Sequence, residues 1–332
     1  MDRPLVAVTM GDPAGIGPEI VAKTLAEPGF HDEKKALVVG DLTILDRAIR
    51  LLELPLHSNV VNQPEEALFE PGTVDVLATS DLPEDLPFGE LDARAGEAAY
   101  RYVEKAIALA LAGSADAVAT APLNKEAMHL AGFQYPGHTE ILAQLTNTKD
   151  YAMVLVAEEL RVIHVSTHVS LREAIGRVTR ERELTVIRLA QGTLRKIGVA
   201  KPRIAVAGLN PHAGENGLFG DEDSERIAPA VADAVGEGID VSGPWPPDTV
   251  FSRARKGNFD MVVVQYHDQG HIPIKLLGFE TGVNLTVGLP FFRTSVDHGT
   301  AFDIAGTGEA DHTSMRAALD LARILAQPES SG

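Results

Sequence analysis

The stretch VVQYHDQGHIPIK, residues 263–275, passes from an apolar strand pattern directly into two histidines, an aspartate, a glycine and a lysine. Short apolar runs of this kind recur along the chain and alternate with amphipathic stretches of helix length. This alternation is typical of a parallel or mixed sheet flanked by helices. The sequence therefore predicts an α/β fold, with strands over residues 5–10, 36–39, 74–77, 117–121, 203–207 and 261–266.

Local patterns also predict one hairpin and several helices. Residues 151–156 and 161–166 are strand-like runs with few polar residues between them, which favours an antiparallel hairpin over a crossover. Long helices are predicted over residues 93–111 and 179–197, because a glycine follows each of them closely. Further helix starts are expected after Ser170, in a capping-box pattern, and near residues 137–140.

The composition is that of an ordinary folded chain. Of its 332 residues, 45% are hydrophobic and 23% are charged, so disorder and fibrous repeats are not indicated. The formal net charge of -18 argues against nucleic acid as a partner, because such binding depends on clustered lysine and arginine. The count of cysteines is 0, which excludes disulfides, thiolate metal ligands and cysteine nucleophiles.

The length is compatible with one large α/β unit or with two domains. No internal repeat or low-complexity linker divides the chain into domains, so we expect any two subdomains to be interleaved, with discontinuous boundaries. The polar C-terminal end, residues 328–332, is expected to be disordered. The apolar run near the N-terminus is too short for a signal peptide, and no segment resembles a membrane span. These features predict a cytoplasmic protein without a membrane partner.

Three histidines follow predicted strands closely. His168, His212 and His267 come after the runs VIHVST, RIAVAGLNP and MVVVQY. Ligands collect at the carboxyl ends of strands in open α/β sheets, and three imidazoles could bind zinc, manganese, cobalt or nickel, within one sheet or across a dimer. A single histidine near a strand end is more often an ordinary hydrogen-bonded loop residue. Spacing alone leaves both interpretations open.

Candidate anion-binding groups lie nearby in the sequence. Lys275 follows His267 by eight residues, and Arg293 follows the apolar stretch NLTVGLPFF. His138 and Thr139 stand at a predicted helix start, where backbone N–H groups can face an anion. The alternative for each cation is an ordinary solvated surface charge.

Two glycine-rich stretches resemble nucleotide-binding loops in composition only. GDPAGIG, residues 11–17, matches neither G-x-G-x-x-G nor G-x-x-x-x-G-K-[ST], and we interpret it as a tight turn from strand to helix. DHGTAFDIAGTG, residues 297–308, is a loop by composition. Its glycines permit either close approach to a planar ligand or simply the turning of a long loop.

The motifs GDPAGIGPE, TAPLNKEAM, GHTEIL, GLNPHAGENGLFG, YHDQGHIPIK and GVNLTVGLPFFRTSVDHGTAFDIAG together resemble the 4-hydroxythreonine-4-phosphate dehydrogenase family over nearly the whole chain. Within that family, GENGLFG, KDYAM, HVSTHVSLREA and YHDQGHIPIK are more similar to the 4-phospho-D-threonate and 4-phospho-D-erythronate dehydrogenase branch than to the vitamin B6 branch.

The resemblance implies a fold like that of isocitrate and isopropylmalate dehydrogenases, with two α/β subdomains around a central cleft. It also implies a homodimer with active sites at the subunit interface. The metal ligands of the family, for zinc, magnesium, manganese or cobalt, fall on His168, His212 and His267. Its substrate contacts fall on His138, Thr139, Lys275, Asn284 and Arg293. DHGTAFDIAGTGEA is similar to the NAD loop of β-decarboxylating dehydrogenases, which places NAD near His298, Gly299, Asp303 and Gly306.

The implied activity is NAD-dependent and metal-dependent oxidation of the C3 hydroxyl of 4-phospho-D-threonate or 4-phospho-D-erythronate, followed by decarboxylation to dihydroxyacetone phosphate. Asp268 and Lys275 are the expected catalytic residues. Lys275 is expected to orient the substrate. Asp268 is expected to orient an imidazole or to take part in proton transfer, and the alternative is a buried structural residue. One alternative is the 4-phosphohydroxy-L-threonine dehydrogenase of pyridoxal phosphate biosynthesis. A more remote one is a three-histidine metal-dependent phosphoester hydrolase.

Overall fold

The structure, a computed structural model, describes residues 3–278 and 282–327. Their contacts divide the chain into two compact units. The first unit contains residues up to 148 together with residues 289–327, and the second contains the described residues between 149 and 288. The first unit therefore consists of two separate segments of chain. The C-terminal residues 328–332, expected from the sequence to be disordered, lie outside the described residues.

The strands in chain order are β1 (Leu5–Thr9), β2 (Lys35–Gly40), β3 (His57–Val61), β4 (Thr73–Ala78), β5 (Ala117–Thr120), β6 (Ala152–Ala157), β7 (Leu160–His164), β8 (Ile204–Ala207), β9 (Val241–Trp245), β10 (Met261–Val264), β11 (Val283–Val287) and β12 (Phe292–Val296). The helices are α1 (Gly17–Leu25), α2 (Phe30–Glu33), α3 (Leu42–Leu51), α4 (Ala93–Leu111), α5 (Lys125–Leu130), α6 (His138–Leu145), α7 (Leu171–Arg177), α8 (Arg180–Lys196), α9 (Ala228–Gly236), α10 (Pro247–Arg255), α11 (His267–Leu277) and α12 (Thr313–Ala326).

In the first unit the described strands run in the order β3-β4-β2-β1-β5-β12, and every pair is parallel. In the second unit the order is β11-β6-β7-β10-β8-β9. There β6 is antiparallel to both of its neighbours, whereas β7, β10, β8 and β9 pair in parallel. The predicted α/β class, with helices flanking mixed sheets, and the predicted hairpin are both confirmed.

Each unit has its own apolar core on its sheet. In the first unit Val6, Val8 and Leu37 are fully buried in the central strands, beneath helices α4 and α12. In the second unit Val162 and Val262 occupy the same kind of position in β7 and β10. Apolar runs of this kind suit parallel strands that are covered on both faces.

Several predicted boundaries agree with the structure for local physical reasons. Helix α4 spans the predicted residues 93–111. Thr179 caps α8 by accepting a hydrogen bond from the N–H of Arg182 at 3.2 Å. Ser170 caps α7 through the N–H of Glu173 at 3.2 Å, but the Glu173 carboxylate pairs with Arg177 at 2.7 Å. Of the two hydrogen bonds that define a capping box, the one accepted by the Ser170 side chain is therefore formed, and the Glu173 side chain is used for an ion pair instead.

The strand predicted over residues 261–266 ends at Val264, two residues earlier than expected. Tyr266 is extended but serves as the N-cap residue of α11, and His267 is the first residue of that helix. A turn of helix thus begins immediately beyond the strand. This placement puts His267 at a strand end and at a helix start together.

Candidate active site

Three adjacent parallel strands of the second unit carry the three predicted metal histidines just beyond their carboxyl ends. The order β7-β10-β8 is fixed by register pairs that include Val262 opposite Val162 and Val262 opposite Ala205. His168, His267 and His212 follow the last residues of these strands by a few positions each. The strand ends therefore open toward one edge of the sheet, where ligands collect in α/β folds.

His168 and His267 are neighbours in the folded chain. Their ring centroids are 5.7 Å apart. Both line a cleft with a volume of ≈ 440 Å³, together with Thr167, Val169, Ser170, Leu171, Ala174, Tyr266 and Asp268. Two imidazoles at the wall of an open cleft are suited to share a divalent cation and to leave further positions to a substrate.

Asp268 determines how the His267 ring is presented. Its Oδ1 lies 2.7 Å from Nδ1 of His267, so a proton on Nδ1 is held by the carboxylate and the lone pair of Nε2 is left for a cation. The side chain of Asp268 is 71% exposed. The interpretation of Asp268 as a buried structural residue is therefore wrong, and its role in orienting an imidazole is the one that the geometry favours.

Two further histidine rings, those of His271 and His164, are packed next to one another near His267. The ring of His271 stacks on that of His267, with centroids 3.6 Å apart, and its Nδ1 lies 2.9 Å from the carbonyl oxygen of His267. The ring of His164 also neighbours that of His271, with ring centroids 4.9 Å apart. Burial lowers the pKa of His271 to about 4 and that of His164 to about 3, so both rings are neutral at pH 7.

His212 lies in a left-handed turn, in which residues 212–216 all have positive φ. Such a conformation is unfavourable for residues other than glycine and is concentrated at functional sites. The buried carboxylate of Asp223 supports the entry to this turn, since it accepts hydrogen bonds from the N–H groups of Leu209 at 2.8 Å and Asn210 at 3.1 Å. His212 itself is exposed.

The described part of a single chain does not bring the three histidines together. Among residues 3–278 and 282–327, no three histidine, aspartate or glutamate side chains converge in an arrangement that could hold a metal ion. Of the three predicted ligands, His168 and His267 are neighbours, and His212 does not join them among the described residues. The donor set nevertheless suits a borderline divalent ion, because neutral imidazoles with an oriented Nε2 are its preferred nitrogen ligands.

The first unit contains a second group of predicted residues. Arg293 is 2% exposed and donates from Nε and Nη2 to Oγ1 of Thr120 at 3.1 and 2.6 Å. Burial lowers its pKa to about 9, and the charge of Glu140 opposes that effect, so the guanidinium remains charged at neutral pH. A buried cation held in this way is suited to bind a phosphate or carboxylate group.

His138 and Thr139 form the first turn of α6 in that same unit. Burial, with the charges of Arg293 and Lys125, lowers the pKa of His138 well below its usual value, so the ring is neutral. Its Nε2 is buried and has no hydrogen-bond partner among the described residues. Thr139 is 8% exposed. An unpartnered polar atom beside a buried cation is a natural contact for an anionic ligand.

Lys275 and Asn284 belong to the second unit. Lys275 lies on the last turns of α11, and its charge helps to lower the pKa of His271. Asn284 lies in β11 opposite Leu155 of β6, and its Oδ1 is buried without a hydrogen-bond partner among the described residues. The five predicted substrate residues are thus divided between the two units.

The predicted cofactor loop, residues 297–308, is anchored by a residue that the sequence interpretation overlooked. The carboxylate of Glu19, on α1, accepts hydrogen bonds from the N–H groups of Gly306 at 2.7 Å and Gly308 at 3.0 Å. Gly306 has a φ of 81° and a Cβ there would lie 2.6 Å from the ring of Phe88. His298, with Nδ1 3.0 Å from the carbonyl oxygen of Gly299, and the exposed Asp303 lie on this loop.

The GDPAGIG turn is a tight strand-to-helix connection, as predicted, but it also carries a buried acid. A Cβ on Gly11, where φ is 75°, would lie 2.4 Å from the carbonyl oxygen of Pro122. Asp12 is fully buried and accepts a hydrogen bond from the N–H of Ala14 at 2.8 Å. Burial raises the pKa of Asp12 to about 6. Asp12 lies among small and apolar residues of the turn, and Glu19 lies in the first turn of α1, so an acidic residue in an otherwise uncharged stretch was the signal available for both.

Comparison with known protein families gives one match. The model of the family described as pyridoxal phosphate biosynthetic protein PdxA matches residues 32–322.

Among the described residues, helices long and apolar enough to cross a membrane were not found.

Curated relatives and solved structures match at full length. The D-threonate 4-phosphate dehydrogenase of Pectobacterium atrosepticum is 54% identical over 97% of this chain and 99% of that protein. The 4-hydroxythreonine-4-phosphate dehydrogenase of Beijerinckia indica is 51% identical over 99% of this chain and 96% of that protein. The crystal structure of 4-hydroxythreonine-4-phosphate dehydrogenase from Klebsiella pneumoniae superposes with a TM-score of 0.90 at 54% identity, covering 98% of this chain and 99% of that one.

Proposed function

The chain belongs to the family of the pyridoxal phosphate biosynthetic protein PdxA and is a dehydrogenase, and from this premise we propose that it oxidises 4-phospho-D-threonate or 4-phospho-D-erythronate with NAD. The name of the 54% identical Pectobacterium relative supports the choice of a 2-hydroxy acid as the substrate. The observation that carries the chemistry is the pair of His168 and His267, with Asp268 bound to Nδ1 of His267 and Nε2 facing away from it.

The proposed reaction has two steps. In the first, the C3–H bond breaks, its hydride passes to NAD, and the hydroxyl proton is released, which leaves a β-keto acid. In the second, the bond between C2 and the carboxylate breaks, carbon dioxide leaves, and a proton is taken up at C2 to give dihydroxyacetone phosphate. A bound divalent ion of the zinc, magnesium, manganese or cobalt type would lower the pKa of the C3 hydroxyl and stabilise negative charge on that oxygen.

The residues of the chain would supply orientation. Arg293, held by Thr120, would bind one anionic end of the substrate, and the neutral ring of His138 would offer its buried Nε2 to the same group. Thr139, Lys275 and Asn284 complete the proposed substrate contacts. Loop 297–308, with His298, Gly299, Asp303 and Gly306, is the proposed NAD contact, anchored through Glu19.

We further propose that His212 binds the metal ion of a partner subunit in a homodimer. His212 is exposed in a supported left-handed turn and does not join His168 and His267 within the described chain. Leu218 and Phe219, which are 70% and 44% exposed, follow this turn in the chain, and the Phe219 ring centroid is 6.0 Å from that of His212. Exposed apolar side chains of this kind are typical of a surface that a partner covers.

Mixing two inactive variants tests the shared site. If His212 acts in the partner, a dimer of one His168→Ala chain and one His212→Ala chain has one site with all three histidines intact. Random mixing makes half of the dimers mixed, so about a quarter of wild-type activity should return. Activity that stays at the level of the separate variants would mean that the ligands come from one chain.

The substrate assignment is tested by NADH formation, measured by absorbance. Purified enzyme with NAD and Zn²⁺, Mn²⁺ or Co²⁺ receives 4-phospho-D-threonate, 4-phospho-D-erythronate or 4-phosphohydroxy-L-threonine in parallel. Turnover of the 2-hydroxy acids is expected. Turnover of the 2-amino acid alone would instead support the alternative that the name of the Beijerinckia relative favours. Release of phosphate without NADH would support the hydrolase alternative.

A further inference from the structure

Gln265 connects the chain segments that carry the three predicted metal histidines. It lies between β10 and His267 and is fully buried. Its Nε2 donates to the carbonyl oxygen of Ala207, the last residue of β8, at 2.9 Å. The main-chain carbonyl oxygen of Gln265 accepts a hydrogen bond from Oγ of Ser166, two residues before His168, at 3.0 Å. A single residue is thus bonded to the segments that lead to His168 and His212.

Gln269 makes a second connection from the first turn of α11. Its Oε1 accepts from the N–H of Gln265 at 2.7 Å, and its Nε2 donates to the carbonyl oxygen of Gly208 at 2.8 Å. Gln269 is 8% exposed. The bond to Gly208 joins the helix that begins with His267 to the segment that enters the His212 turn, and the bond from Gln265 ties that helix to the connection after β10.

These bonds begin where the sheet ladder ends. The last register pairs are Val264 with His164 and Val263 with Val206. Beyond them, Ala207 and Gly208 still present carbonyl groups and Gln265 an N–H, and in a buried position such groups need partners. The two glutamine side chains provide these partners, so they continue the connection between strands into the part of the fold that holds the histidines.

The start of α11 is also packed tightly against the strands. A Cβ on Gly270 would lie 2.5 Å from Nε2 of His164 and 2.9 Å from Cγ2 of Val264. The helix therefore has little freedom to shift at this point. The side chain of Gln269 bonds this part of the helix to Gly208, four residues before His212.

We infer that Gln265 and Gln269 are positioning residues that hold His267, His168 and the turn of His212 in the arrangement that metal binding requires. This inference rests on the proposed metal site. Groups that orient the ligands of a metal, without touching it, commonly change metal affinity by about 10-fold to 100-fold when they are removed. Groups of that kind usually bond to the side chain of a metal ligand, whereas the two glutamines bond to main-chain atoms of the segments that carry the histidines.

The test is the affinity of the metal-free dimer for Co²⁺, measured by competition with a chelator and by the visible absorption of the bound ion. Gln269→Met keeps the length of the side chain and removes both bonds. We expect its Kd for Co²⁺ to rise about 10-fold or more, with a changed absorption spectrum. Ser166→Ala removes a smaller part of the network and should raise Kd by a smaller factor, which keeps the test available if Gln269→Met does not fold.

Thr193→Val is the matched control. Thr193 lies in α8 of the same unit, is 5% exposed, and donates from Oγ1 to the carbonyl oxygen of Leu189 at 2.7 Å. The variant loses one buried hydrogen bond away from the histidines and should bind Co²⁺ as the wild type does. His212→Ala serves as the reference for loss of the site.

The outcomes separate the inference from the proposed function. In one outcome, the wild type binds Co²⁺ and His212→Ala does not, so the proposed metal site stands. If Gln269→Met and Ser166→Ala then both keep the wild-type Kd and spectrum, the glutamines do not position the ligands and the inference is overturned. If the wild type does not bind Co²⁺, or if His212→Ala binds it equally well, the proposed metal site itself is overturned and the inference falls with it.

Discussion

Glu183 is a carboxyl group that the folded chain removes completely from water. It lies on α8, is fully buried, and neither of its oxygens has a hydrogen bond of ordinary geometry among the described residues. Burial raises its pKa from 4.5 to about 8, and the amide of Gln265 and the charge of Arg182 oppose that rise without cancelling it. The folded protein therefore holds a proton on Glu183 at neutral pH, whereas the unfolded chain releases it.

The sign of the pH dependence follows from this difference. Between pH 4.5 and about 8 the folded state binds one more proton than the unfolded state, so the free energy of unfolding falls as the pH rises through that window. Since each pKa unit corresponds to about 1.4 kcal/mol, the full loss is at most about 5 kcal/mol, of which about 2 kcal/mol falls between pH 6 and pH 8. Glu183→Gln keeps the shape of the side chain and removes the ionisation.

The assay is urea unfolding followed by circular dichroism at pH 6, 7 and 8, at one protein concentration. The wild type should lose about 2 kcal/mol more over this range than Glu183→Gln. Glu181→Gln, which removes an exposed carboxylate from the same helix, is the control and should keep the wild-type slope. A Glu183→Gln protein with the wild-type slope would mean that Glu183 is ionised in the folded protein, contrary to the expected result.

Three further predictions concern the proposed site. Thr120→Val removes the hydroxyl that accepts hydrogen bonds from Arg293. In steady-state kinetics we expect KM for the phosphorylated substrate to rise about 10-fold while KM for NAD is unchanged. An equal rise in both constants would contradict this expectation. Glu19→Gln weakens the anchor of loop 297–308 and should raise KM for NAD about 10-fold in steady-state kinetics, with KM for the substrate as the internal control. Asp268→Ala leaves Nδ1 of His267 without its carboxylate and should weaken Zn²⁺ binding, measured by calorimetry, by about 10-fold; unchanged affinity would show that Asp268 does not orient the ring.

The secondary structure was predictable wherever a local pattern was strong. Helix α4 agrees with the prediction at both ends, and the hairpin of β6 and β7 was expected from two apolar runs with a short polar connection. Strands β3, β9, β11 and β12 were not predicted. In β3 and β12, with sequences HSNVV and FRTSV, polar residues hide the strand pattern. In β12 those polar residues are buried and bonded: Thr294 donates to the carbonyl oxygen of Ala318 at 2.8 Å.

The candidate site was predictable in its residue types and only partly in its arrangement. His168 and His267 follow neighbouring parallel strands, so their approach follows from the strand order. The position of Asp268 beside His267 in the sequence fits both an orienting group and a buried structural residue, and only its exposure and its contact with His267 separate the two. Gln265, a polar residue in the predicted strand, was overlooked because an isolated glutamine has no pattern that distinguishes it.

The α/β alternation, the likeness to one dehydrogenase family and the placement of three histidines after strands could all be read from the chain, because each depends on residues close together in it. Which histidines become neighbours, and which side chains are buried away from water, depended on the folded arrangement. Arg293 and Thr120, for example, are 173 residues apart in the chain and 2.6 Å apart in space. Burial and hydrogen bonding between such distant residues, which set the pKa values of Glu183 and Arg293, arise when the strands are assembled in their spatial order.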